Sequence, residues 1–282
     1  MKANIFTLLL CIILMSCNET KKTPTDKTTK EVDNTEAVKT EPMTFKNKGH
    51  ELVYNLTQKT GNYQTLLNKK DVVYTYTYKT PKGEIDISTE KYIFNGELSY
   101  GAYSQHQRTL PQLEGLIEQG YDGSEFWLKN NGTIIEDEAA LKRVAFNRPT
   151  NFYWFAMMPK LLDPGVIYEY LGDKTIDSIV YDIVKVSFTS TDNKPTDIYQ
   201  LYINKNTGLV DQFLFTVADF GKMEVPFLMK VEYEDIEGIL IPTKRKYKSS
   251  NWEAEVTDQP WISVNWTNIK FNNGLKEAIF KK

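Results

Sequence analysis

From Val72 to Phe271 the chain returns repeatedly to a period of two, and turn residues cut the pattern into short pieces. Val72 to Lys79, VVYTYTYK, alternates aromatic side chains with threonine before Pro81-Lys82-Gly83 turns the chain. Glu84 to Phe94 joins Glu97 to Ser104 through Asn95-Gly96. Asn-Gly favours tight hairpins because both central residues of such a turn take positive φ. Leu113 to Gly120 and Glu125 to Leu128 flank Asp122-Gly123, and Asn130-Asn131-Gly132 turns the chain again before Thr133 to Glu136. The later half is cleaner: Ile167 to Lys174 with Ile179 to Thr189, then Asp197 to Asn204 with Leu209 to Val217. Phe227, Met229, Val231 and Tyr233 share one strand face, as do Ile239, Ile241, Thr243, Arg245 and Tyr247 on the next strand. Lys244, Lys246 and Lys248 fall opposite, and Trp261 to Phe271 reads as a last strand. About a dozen strands with short links and one apolar face describe a large antiparallel sheet packed on one side. A sheet of that size does not stay flat, so curvature toward a half-barrel or a closed barrel is expected.

Two stretches depart from the strand pattern. Asn47 to Lys59 carries Leu52, Val53 and Leu56 at helical spacing, and Gly61 suits its C-cap. The second stretch, Asp137 to Gly165, reads DEAALKRVAFNRPTNFYWFAMMPKLLDPG. Asp137 and Glu138 suit a helix start, as a cap and as negative charges near the positive end of the dipole. Leu141, Val144 and Ala145 form a helical stripe. Pro149 is expected to divide the interval into two helices, the second running from Asn151 to Met158. That second piece is apolar on nearly every side, and such a helix must be buried or meet something apolar. Two readings stay open: residues 151–162 fill the concave side as core, or they lie over an apolar cleft as a lid. In the second, Phe152, Trp154, Phe155, Met157 and Met158 are the candidate ligand contacts, methionine being flexible enough to adapt to varied shapes.

The N-terminus reads as an address. Lys2 precedes an apolar run from Ile5 to Met15, and Leu14-Met15-Ser16-Cys17 closes it with a small residue just before cysteine. This is the pattern of a bacterial lipoprotein signal peptide. The run falls short of the roughly 20 residues that cross a hydrocarbon core as a helix. Cleavage before Cys17 and acylation of that residue are expected. Residues 1–16 are then signal, 17–43 a lipidated cysteine with a disordered tether, and 44–282 a single β domain. The tether is expected to be disordered because Val32, Ala37, Val38 and Met43 are its only apolar side chains.

Charge and motif content narrow the function. The net charge is −3, and only Arg108, Arg143, Arg148 and Arg245 are arginines among 34 basic residues. No basic stripe points to nucleic acid. The two cysteines are Cys11, inside the signal, and Cys17, so the mature fold has no disulfide staple. His50 and His106 stand far apart, and no HExxH, CxxC, P-loop or GxGxxG occurs. Gly96 to Gly101 only half matches a nucleophile elbow and sits on a hairpin. Neither an enzyme, a metal site nor a cofactor is expected.

Four stretches carry a family resemblance: Gly120-Tyr121-Asp122-Gly123 with Phe126-Trp127; the interval Asp137 to Gly165; Tyr202 to Leu209, YINKNTGL; and Ile239-Leu240-Ile241-Pro242 followed by Trp266 to Phe271. Together they resemble the LolA/LolB-like superfamily of periplasmic lipoprotein carriers and related envelope lipoproteins. The resemblance implies an incomplete β-barrel whose helices plug an apolar cavity that accepts acyl chains. The anchor makes the chain more like the tethered LolB than the soluble LolA.

The fold class expected is therefore mostly β (α+β, LolA-like): a large antiparallel curved sheet or incomplete β-barrel with an N-terminal helix and two lid-like helices. The expected protein is a lipid-anchored envelope lipoprotein, at the outer membrane and facing the periplasm. It binds an acyl chain, lipid or lipoprotein in the concave face of the sheet. The alternative is an envelope scaffold with a filled core, a protein partner and no ligand, in which Tyr74, Tyr76 and Tyr78 mark an interface.

Overall fold

A computed structural model describes residues 44–190 and 194–282. The signal, Cys17 and the tether lie outside the described residues. Among the described residues, the strands pair into one antiparallel sheet of 13, from β1 (Asp71–Lys79) to β13 (Ile262–Phe271). Spatial order follows two runs. β1, β2 (Ile85–Ile93), β3 (Leu98–His106), β4 (Ile117–Tyr121), β5 (Phe126–Asn130) and β6 (Thr133–Ile134) step outward to one edge. From the other edge, β7 (Val166–Ile176), β8 (Ile179–Phe188), β9 (Tyr199–Asn204), β10 (Val210–Val217), β11 (Lys222–Ile236) and β12 (Ile239–Ser249) step back to β13. β13 pairs with β1, matching Tyr76 to Trp266 and Tyr78 to Val264.

Among the described residues three α-helices accompany the sheet: α1 (Lys48–Thr60), α2 (Tyr63–Asn68) and α3 (Glu138–Lys160). Among the described residues no helix is long and apolar enough to cross a membrane. α3 is the link between the two runs, carrying the chain from edge strand β6 to edge strand β7. Its 23 residues reach roughly 35 Å. Thirteen strands at about 4.8 Å spacing cover roughly 58 Å of arc. A chord and arc in that proportion are close to a half-circle. The sheet is accordingly a half-barrel, and the closed-barrel expectation is corrected: β6, with two residues, is too short to carry a ladder across to β7.

The two-helix expectation for 137–165 is corrected as well. α3 runs unbroken through Pro149, with Asp137 capping it through a 2.8 Å bond from Ala140 N. An interior proline costs roughly 3 kcal/mol. Here the ring sits on the exposed side, while the inner flank on both sides of it is fixed to the sheet. Arg148, Phe152 and Phe155 are buried in succession along that flank. Tertiary burial outweighs the lost bond.

The concave core follows α3 from end to end. Ala140 and Val144 pack with Ile117 and Leu128. Phe152, Phe155 and Ala156 pack with Tyr74, Tyr92, Val264 and Trp266. Met157, Met158 and Leu161 join Val53 and Leu56 of α1 against Leu201 and Phe213. Tyr74, Tyr76 and Tyr78 point into this core at 1–6 % exposure, so they form no outer interface. On the convex side, Trp252 and Trp261 of the β12–β13 connection cover Tyr202 and Leu228. Phe280 covers Trp127, whose indole Nε1 donates to the Phe280 carbonyl at 2.6 Å.

β2 reverses the usual pattern by turning Asp86, Ser88 and Glu90 inward. Glu90 meets Arg148 of α3 at 2.8 Å, both side chains fully buried. Ser88 and Tyr92 donate to Glu90 at 2.6 and 2.9 Å, and Arg148 also donates to Tyr103 at 3.1 Å. Gly101 on β3 admits the guanidinium: a Cβ there would lie 2.5 Å from Arg148 Nη1. Burial alone would lower the Arg148 pKa, but the Glu90 carboxylate raises it above the ordinary value. Glu90→Gln leaves that cation buried without a counter-charge. Urea unfolding is expected to show a loss of about 3–5 kcal/mol.

Candidate functional site

The outer flank of α3 faces a cleft. Phe146, Pro149, Thr150, Tyr153 and Trp154 line it from the helix, at the i, i+3, i+4, i+7, i+8 positions that share one helical face. The opposite wall is one end of the half-barrel. Phe215, near the end of β10, pairs with Phe227 of β11, Phe227 pairs with Ser249, and Tyr247 of β12 pairs with Ile262 of β13. Tyr78, near the end of β1, continues the same rim. These registers bring five strand ends together there, whereas α1 and the C-terminal half of α3 pack together deeper in the core.

Two pockets make up the centre of the cleft. One, of 310 Å³, lies among Tyr153, Trp154, Tyr199, Phe215 and Asp197. The other, of 220 Å³, lies among Tyr76, Tyr78, Trp154, Phe215, Tyr247, Arg108 and Arg143. Trp154, Thr150, Phe146, Phe215 and Val217 border both. Trp154 meets Phe215 edge-on at 5.7 Å and Tyr247 at 6.2 Å, the geometry that ring quadrupoles favour. Tyr78 and Tyr247 share a 2.6 Å hydroxyl bond at the rim.

The β10–β11 turn reaches over the cleft mouth. Its short helical turn, Ala218–Phe220, ends at Gly221 in the left-handed conformation. Phe220, 53 % exposed, stacks edge-on against Phe146 at 4.7 Å. Asp219 and Asp197 stand on this side of the cleft. Burial raises the Asp197 carboxyl above its usual range, opposed by donors from Ala218 N and Thr216 Oγ1.

Beneath Trp154 sits Arg245. It is 2 % exposed and has no carboxylate within ion-pair distance among the described residues. Its Nη2 donates to the Trp154 carbonyl at 2.7 Å and its Nε to the Pro242 carbonyl at 3.0 Å. The guanidinium lies 4.0 Å from the Trp266 ring centre, a cation–π contact. Burial pulls its pKa down to about 10. Arg245 thus ties the middle of α3 to β12.

The structure separates the residues singled out in sequence. Trp154 lines the cleft, whereas Phe152, Phe155, Met157 and Met158 turn toward the sheet at 0–4 % exposure. Phe146, Tyr153, Phe215 and Tyr247 border the cleft and were not read from sequence. The signal that finds them is the stripe running from Phe146 through Thr150 to Trp154. His50 stacks on Tyr168 at 5.1 Å, and His106 Nε2 lies 2.8 Å from the Gly115 carbonyl oxygen. Among the described residues no group of three or more His, Cys, Asp or Glu is placed to hold a metal ion.

Replacing Arg245 with methionine removes a desolvated cation that has no counter-charge. Exchanging buried ion pairs for apolar residues of similar volume is often neutral or stabilising, and here the desolvation cost has no paired charge to offset it. Arg245→Met is expected to leave the urea midpoint unchanged or raised. A loss beyond about 2 kcal/mol would mean that its hydrogen and ring bonds outweigh the desolvation.

Comparison with known proteins gives one partial family match and several distant structural ones. A family of unknown function (DUF6503) matches residues 126–236. No curated protein matches the chain. Similar solved structures include a DUF1329 family protein from Desulfovibrio piger, at 13 % identity, covering 83 % of this chain and 95 % of that one, with a TM-score of 0.48. A domain assigned to outer membrane lipoprotein sorting, from Vibrio parahaemolyticus, has 12 % identity, coverages of 83 % and 96 %, and a TM-score of 0.48. A LolA superfamily protein from Nitrosomonas europaea has 12 % identity, coverages of 78 % and 98 %, and a TM-score of 0.44. All three TM-scores lie below 0.5.

Proposed function

We propose that this chain is a membrane-anchored envelope lipoprotein that binds an apolar ligand in the cleft along α3. Residues 1–16 are its signal peptide, Cys17 carries the lipid, 17–43 form the tether and 44–282 the binding body. It works at the outer membrane, facing the periplasm, without a catalytic group or cofactor. The observation that carries the reading is the aromatic cleft itself. Its larger central pocket, 310 Å³, reaches the range of roughly 300–1,000 Å³ in which small-molecule sites fall. A second pocket of 220 Å³ adjoins it across Trp154. Trp154 touches the ligand, while Phe152, Phe155, Met157 and Met158 hold the helix against the sheet and so fix the cleft floor.

Native mass spectrometry of the full-length protein is expected to detect copurified or titratable lipid. Trp154→Ala is expected to weaken retention about tenfold. A wild-type protein that neither carries nor takes up lipid sinks the reading.

A second reading rests on a different surface. Edge strand β7 exposes Ile167 at 49 %, Leu171 at 45 % and Tyr170 at 37 %. An edge strand with apolar side chains can accept a further strand from a partner. In that case the protein is an envelope scaffold. Pull-down of one partner, lost on Ile167→Lys with lipid uptake unchanged, supports it.

A further inference from the structure

Four of the chain's 34 basic residues are arginines, and none of the four is spent on ordinary surface charge. Arg148, on α3, and Arg245, which bonds the α3 backbone from β12, are both buried. Arg108 and Arg143 border the same 220 Å³ pocket. Guanidinium is the side chain suited to planar, two-point recognition of carboxylate or phosphate.

Of the two cleft arginines, Arg108 has one carboxylate partner and Arg143 has none among the described residues. Arg108 lies 4.1 Å from the Tyr78 ring centre, with Asp86 3.4 Å from its Nε. Asp86 is already engaged by Arg108 N, Thr109 N and Thr109 Oγ1. Arg143 has no carboxylate within ion-pair distance among the described residues; its nearest charge-accepting contacts are the Phe146 and Phe220 rings, near 6 Å. Burial, and then the charge of Arg108, lower its pKa. The carboxylates of Asp197 and Asp219 border the other central pocket, beyond Trp154. Asp219 also borders a 370 Å³ pocket with Lys142, Arg143 and Phe220, so a carboxylate stands near Arg143 without reaching ion-pair distance.

Resting on the reading of the cleft as a ligand site, we propose that it takes an amphiphile with one anionic head, carboxylate or phosphate. The head sits between Arg108 and Arg143, and the alkyl chain lies against Trp154 and Phe215. An uncharged alkane or alcohol would fill the same aromatic wall and leave Arg143 unmatched. An anion at this end answers Arg143 and adds to the single ion pair of Arg108.

The test uses the full-length protein immobilised on resin, with radiolabelled oleate, oleyl alcohol and inorganic phosphate as probes. Wild type is expected to bind oleate at least tenfold more tightly than the alcohol, and phosphate far more weakly than oleate. Arg143→Gln is expected to lower oleate affinity about tenfold and leave the alcohol unchanged. Arg143→Lys, which keeps the charge, is expected to lose less. Thermal melts matching wild type show that the variants are folded. Equal binding of oleate and alcohol, or equal loss of both in Arg143→Gln, overturns the anionic head while leaving an apolar cleft. Phosphate binding as tight as oleate overturns it in favour of a small-anion site. Failure of wild type to bind either long-chain probe overturns the cleft reading itself.

Discussion

A single helix must cross the concave side of a half-barrel, and the fold depends on holding it there. The two strand runs meet through the β1–β13 pairing and through α3. Apolar burial supplies most of the adhesion, but apolar burial has no direction. The Glu90–Arg148 pair gives it one. A fully buried ion pair with its own hydrogen-bonded shell fixes which turn of the helix faces β2 and β3. Arg245 makes a second fixed point, gripping the helix backbone at Trp154 from β12. Between these points the helix cannot roll, so its outer stripe must face the rim. The cleft is the space left when those two constraints are met.

That account also explains why the site is placed at one end. Phe155, Met157, Met158 and Leu161 fill the concavity together with α1. Along the flank from Phe146 to Trp154 the helix instead faces the five paired strand ends at the rim, where aromatic rings meet edge-on. A half-barrel with a plugged end and an open end is the result.

Much of this was legible in the sequence, and the exceptions have physical causes. Period-two alternation and Asn-Gly turns placed most long strands within a few residues, since register follows from which face is apolar; β11, read from Phe227 to Tyr233, runs from Lys222 to Ile236. Gly61 bounded α1 at its C-terminus by capping chemistry, and Asn47, read as the first helical residue, is its N-cap. α2 escaped notice because six residues are too few to display a period. β2 carries isoleucines on its outer face and acids within, so its alternation alone gives the wrong face; only the arginines opposite explain it. Pro149 reads as a break because sequence shows the lost bond but not the burial that outweighs it. The segment from Phe152 to Met158 was the hardest, since a run apolar on every side has no phase. Trp154 and Phe155 are adjacent in sequence, yet one lines the cleft and the other the core.

The seam between β1 and β13 carries a consequence for how the chain reaches this state. Thr75 pairs with Thr267, and Val72 with Phe271. The strands of each run are neighbours in sequence and close short loops, whereas the seam joins the first strand to the last. Loop closure over nearly the whole body is slow compared with a hairpin. Two meanders can therefore form early, each with an open edge, and the half-barrel is completed only when its last strand arrives. A chain that emerges into its compartment from the N-terminus must keep β1 waiting, its tyrosines unpaired on one side, until nearly everything else has followed.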